Sequence, residues 1–147
     1  MITAFATNNR INVYLIENLP DAAWRAETPG GKGRNAAAVA AHIHNVRLMW
    51  LKAVGGHVPE KLDGESVTKQ QAITALNESW KALEVCLRKS LEGDGKIKGF
   101  KPDVVSFFAY LVAHDAHHRG QIAMLARQSG NPLPKSVGFG LWEWGTR

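Results

Sequence analysis

Val104-Val105-Ser106-Phe107-Phe108-Ala109-Tyr110-Leu111-Val112-Ala113-His114-Asp115-Ala116-His117-His118-Arg119-Gly120-Gln121-Ile122 reads as one long amphipathic helix carrying three histidines within five residues. Val104, Phe108, Leu111, Asp115 and Ile122 recur at helical spacing and define its inner face. At about 100° of rotation per residue, His118 falls about 40° from the centre of that face and His114 about 80°, on the same side. His117 falls about 140° away and points outward. Two imidazoles one turn apart can share a divalent cation, which then needs only one or two further ligands.

Working outward, this helix is expected from Pro102, a residue favoured in the first helical turn, to Ser129, where Gly130 ends it. Three more helical stretches precede it, with no strand alternation and no internal repeat. The first runs from about Asn8 to Asn18, with Ile11, Tyr14, Leu15 and Leu19 on its stripe and a short turn possible over Ala22 to Ala26. The glycine-rich loop Thr28 to Gly33 follows, and it lacks the Gly-Lys-Ser/Thr ending of a phosphate-binding loop. Asn35 caps the second helix, whose stripe is Val39, Ile43, Val46 and Trp50, and Gly55-Gly56 ends it. Thr68 and Gln71 form a capping box that opens the third, which carries Ile73, Leu76, Trp80, Leu83 and Leu87 to Gly93-Asp94-Gly95. Four amphipathic helices predict an all-α four-helix bundle occupying residues 1–147 as a single domain. The tail Gly138-Phe139-Gly140-Leu141-Trp142-Glu143-Trp144 is apolar enough to predict that it folds back on the bundle or lies in a dimer interface.

The second helix supplies two more histidines. His42 lies about 60° from the stripe, at the border of the buried face, and His44 about 140° away, on the outside. His42, His114 and His118 are therefore expected to project into the bundle as a three-histidine metal site with an open position, with His44 as the runner-up ligand. Zinc and nickel suit imidazole donors. Asp115 is expected to orient a histidine, and Gln121 to hydrogen-bond a ligand histidine or the metal's water. Arg119 reads as a salt-bridge or interface residue, and Gly120 as a point of close helix approach, since glycine there costs close to 1 kcal/mol against alanine. His114 to His118 also has the form H-D-x-x-H, but the shorter Asp115 and the missing substrate-aligning strand argue against a zinc peptidase.

Composition narrows the remaining classes. Apolar residues make up 45% and charged residues 21% of the 147, as in an ordinary globular protein. No apolar run approaches the ~20 residues of a membrane span, and the N-terminus has no signal-peptide pattern. Cys86 is the single cysteine and reads as a buried, inert thiol; a cytoplasmic location is expected. The net charge of +5 comes from lysines scattered along the chain without aromatic interleaving, which argues against a nucleic-acid partner.

The segments Ala41-His42-Ile43-His44-Asn45-Val46-Arg47-Leu48-Met49-Trp50, His114 to Ile122 and Gly140 to Trp144 give the chain a resemblance to the DinB-like (DinB/YfiT) superfamily of metal-binding four-helix proteins, over essentially its whole length. The resemblance implies a long crossover between the second and third helices, placed at Gly55 to Val67. It implies frequent homodimers, and metal ligands that fall on His42, His114 and His118. It also implies a divalent-metal-dependent enzyme of the thiol S-transferase type, acting on a small-molecule substrate with a low-molecular-weight thiol. A metal-dependent hydrolase and a non-catalytic metal-binding stress-response or interaction protein are the alternatives. A fourth protein ligand such as His44 would favour the last of these.

Overall fold

Asn35, Thr68 and Asp103 cap three of the four long helices with their own side chains. The computed structural model describes residues 1–147. α1 spans Ile2–Asn18, the short α2 Asp21–Trp24, α3 Ala36–Val54, α4 Lys69–Glu92, α5 Val104–Gln128 and the short α6 Lys135–Gly140, with no strand. Asn35 Oδ1 accepts from the Ala38 amide at 2.9 Å and Asp103 Oδ1 from the Ser106 amide at 2.8 Å. Thr68 and Gln71 close the capping box from both sides. Such caps contribute about 1 kcal/mol each by satisfying amides that have no helical partner. Gly55 ends α3 at φ 73°, a conformation in which a Cβ would be strained.

Two boundaries differ from the sequence expectation. α1 begins at Ile2 rather than Asn8: Phe5 is fully buried, and Asn8 lies buried mid-helix with Asn9 and Asn12 rather than at a polar helix start. α5 begins at Val104, so Pro102 lies ahead of the helix and Asp103 takes the capping position.

Side-chain contacts set the directions of the helices. Phe5 packs on Trp80 and Asn9 bonds Asn77 while Lys69 reaches the Leu19 carbonyl, so α1 and α4 run antiparallel. His42 meets His118 and Trp50 meets Phe107, so α3 and α5 are antiparallel as well. Between α3 and α4 the connection returns along the whole of α3. Gly56 lies by Leu51, the Glu60 carbonyl meets His44, Asn45 pairs with Leu62, and Gly64 sits against Ala38. A Cβ on Gly64 would lie 3.0 Å from Ala38, so the strap runs as close to the helix as backbone allows. This is the long crossover, and it makes α3 and α4 parallel neighbours.

The core has two apolar halves. One is built on Leu15, Ile16, Val39, Ile43, Leu76 and Ile122, the other on Phe5, Leu48, Leu51, Leu83, Phe107 and Leu111. Between them lies a buried polar layer of Asn8, Asn9, Asn12, Arg47, Ser79 and Asp115. The tail folds back on α1: Gly140 abuts Tyr14, Arg147 stacks over the Tyr14 ring at 3.7 Å, and Arg10 donates to the Arg147 carbonyl. The aromatics do not make that contact, for Phe139 is 72% and Trp142 82% exposed. No helix is long and apolar enough to cross a membrane.

Candidate metal centre

His42 on α3 and His114 and His118 on α5 meet at the level of the polar layer. One nitrogen from each lies within 4.8 Å of the other two. Ring centroids are 4.4 Å apart for His114 and His118, 4.6 Å for His42 and His118, and 5.4 Å for His42 and His114. Tetrahedral zinc at about 2.05 Å from each nitrogen would set them about 3.3 Å apart, so each ring closes by less than about 1 Å.

Burial favours the neutral form of His42 and His118. Burial holds the His42 imidazolium down to a pKa of about 4, with Arg34 and the other two histidines adding repulsion. Burial also lowers His118, partly opposed by its hydrogen bond to Gln121. Neutral imidazole is the metal-binding form. Gln121 Oε1 accepts from His118 Nδ1 at 2.7 Å, and its amide nitrogen donates to His117 Nε2 at 3.0 Å. That arrangement leaves the His118 Nε2 lone pair free. His117 is exposed and stays outside the triad.

His44 departs from its expected position. It is fully buried rather than external, because the crossover covers the side of α3 that a one-faced helix would leave in water. Its Nε2 donates to the Glu60 carbonyl at 2.9 Å, and burial lowers its pKa. It does not join the triad, which has three members.

Asp115 lies under the triad but belongs to the polar layer. Its Oδ2 accepts from Arg47 at 2.7 Å, Asn8 at 2.7 Å and Asn12 at 2.9 Å. Its Oδ1 faces His114 Nδ1 at 3.7 Å, too far for a hydrogen bond. Burial opposes its ionisation most, yet the Arg47 charge, the neighbouring His114 ring and the bonds from Arg47 and Asn12 hold its pKa at about 2. Arg119 donates to Asn8 at 2.7 Å and Asn12 at 2.6 Å, so it braces the asparagines rather than a carboxylate. A Cβ at Gly120 would meet nothing within 4 Å, so close helix approach does not explain this glycine. Arg47 and the three asparagines carried no sequence signal beyond being polar residues within apolar spacing.

A cleft of about 570 Å³ opens on His42, lined also by Arg34, Asn45, Lys61, Asp63 and Gly64. The site therefore combines three converging imidazoles, no fourth protein ligand, and an open side. The DinB family model matches residues 1–142, and the chain belongs to that family. No curated protein and no solved structure matches it.

Proposed function

We propose that this DinB family protein holds a divalent transition metal, zinc or nickel, on His42, His114 and His118 and uses it as a thiol S-transferase. The observation that carries the reading is the meeting of three imidazoles from two helices beside an open cleft. When bound, the metal supplies the Lewis acidity that favours the thiolate of a low-molecular-weight thiol at neutral pH.

The chain's own residues do the rest. Gln121 fixes the His118 tautomer so that Nε2 faces the other two rings. His42 forms part of the cleft wall and orients toward the space a small molecule would enter. Asp63, the carboxylate in that wall, has its oxygens engaged by the Glu65 amide and the Ser66 hydroxyl. Asp115 is held ionised by Arg47 and buried away from the cleft. Asp115 is therefore withdrawn from base chemistry at the cleft, while Asp63 is exposed and keeps acceptor capacity there. The absence of a fourth protein donor in the triad favours chemistry over a purely structural ion. The same reading includes a homodimer, for which exposed Phe139 and Trp142 offer apolar surface; sedimentation velocity tests it.

Elemental mass spectrometry on protein purified without an affinity tag tests the centre. About one transition-metal ion per chain is expected, lost in His118→Ala. Metal-free protein that stays so after titration with zinc and nickel would overturn the proposal.

A further inference from the structure

Arg34 lines the cleft at His42 and a second one beside Gln121. The second, of about 340 Å³, is bounded also by Lys32, Met124 and Gln128. A side chain common to both stands at the mouth of the site, on the loop that enters α3. Its guanidinium forms no hydrogen bond or ion pair within the chain, unlike Arg25, Arg47, Arg88, Arg119 and Arg147.

We propose that Arg34 is the specificity-determining residue of the site and binds the carboxylate of a small thiol whose sulfur is presented to His42, His114 and His118. The inference rests on the metal–thiol reading above. A guanidinium presents paired N–H donors that match a carboxylate in two parallel bonds, and an unpaired one breaks no internal bond to make them. The charge count of the cleft wall also selects the ligand. Arg34 and Lys61 are cationic and Asp63 anionic, which leaves one positive charge in excess. That balance suits a single carboxylate and disfavours a doubly charged phosphate. Lys61 is exposed and free to add a second contact at the far wall.

Cobalt-loaded protein titrated with 3-mercaptopropionate, 3-mercaptopropan-1-ol and propionate tests the assignment, read by cobalt absorption and calorimetry. The acid thiol is expected to bind about tenfold or more tightly than the alcohol, and Arg34→Gln to bring the two within about twofold. Metal content and affinity for the alcohol are expected to stay unchanged in the variant. A selectivity that survives in Arg34→Gln, or an equal loss for both thiols, overturns the proposal. If neither thiol alters the cobalt spectrum, the thiol-transferase reading fails. Propionate binding that depends on Arg34 would then still support the carboxylate contact, and propionate binding indifferent to Arg34 would overturn it too.

Discussion

Replacing Arg47 by methionine removes the positive half of a pair in which both side chains are only 1% exposed. The change deletes bonds to Asp115 at 2.7 Å, Asn9 at 2.8 Å and the Leu76 carbonyl at 3.0 Å. Asp115 keeps Asn8 and Asn12 but loses its counter-ion. Breaking one side of such a pair costs about 3–5 kcal/mol, which for a chain of this size lowers Tm by roughly 10 °C. Urea unfolding of Arg47→Met, Asp115→Asn and the double variant at pH 7 should give a coupling energy above about 1.5 kcal/mol, because the double variant leaves no buried charge unpaired. The pH dependence separates charge from packing. In the native protein the Asp115 pKa is lowered from 3.8 to about 2. That depression contributes about 2 kcal/mol above pH 4, and the contribution is lost as pH falls from about 4 toward 2. Without Arg47, burial dominates and raises the folded-state pKa, so protonation relieves the variant as pH falls. The difference between native and variant stability should therefore shrink as pH falls through the variant's raised pKa, above about 4, and on toward 2. A difference that is constant from pH 7 to pH 3, or a coupling energy near zero, would refute the argument and leave only lost packing.

Gln121→Ala frees the His118 tautomer and should weaken zinc binding by about 10- to 100-fold in a competition titration, with stability little changed. Gly140→Ala forces a Cβ to 2.5 Å from the Tyr14 hydroxyl and should cost about 1–3 kcal/mol, whereas Gly120→Ala, with nothing within 4 Å, should be neutral or stabilising by up to about 1 kcal/mol; thermal unfolding of both reads the contrast. Since burial keeps His42 neutral down to about pH 4, zinc binding at pH 6 should release almost no proton from it, where an ordinary histidine would release about 0.8; ring-proton NMR of His42 in the zinc-free protein from pH 7 to pH 4 measures this.

The bundle was legible because its stripes repeat at helical spacing and its caps are local. Ile11, Leu15, Val39, Ile43, Leu76, Leu83, Leu87, Leu111 and Ile122 are all buried as their periodicity predicts. Local signals failed where a second element supplied the environment. His44 reads as external on a helix with one buried face, and the crossover makes a second. Asn8 reads as the start of the first helix because asparagine is a weak helix former, yet tertiary hydrogen bonds to Asp115 and Asn77 hold Asn8 and Asn9 in the middle of α1. Phe107 and Phe108 are adjacent, and Phe107 rather than Phe108 takes the fully buried place. Helical phase resolves such neighbours poorly when both sides of the helix pack. The triad was legible because spacing of four on one helix survives any such error, while Arg34 was not, since nothing local distinguishes a loop arginine that borders two clefts.

The polar layer also bears on how the triad is held. His114 and His118 can converge on His42 only if α5 keeps one rotation about its axis, and apolar contacts of Leu111 and Ile122 tolerate several. Asp115 does not. A turn of α5 by one residue would carry its carboxylate away from Arg47, Asn8 and Asn12 and leave buried charge unpaired, at a cost comparable to the loss of Arg47 itself. Asp115 follows His114 directly and precedes His118 by three residues, so the rotation that satisfies the carboxylate is the one that aims both imidazoles at α3. The charge-free double variant therefore separates two properties of the same pair. It should recover stability relative to either single variant and still bind zinc more weakly than the native chain, because apolar packing alone no longer selects that rotation. Equal zinc affinity in the double variant would place the orientation of the histidines in the apolar core instead.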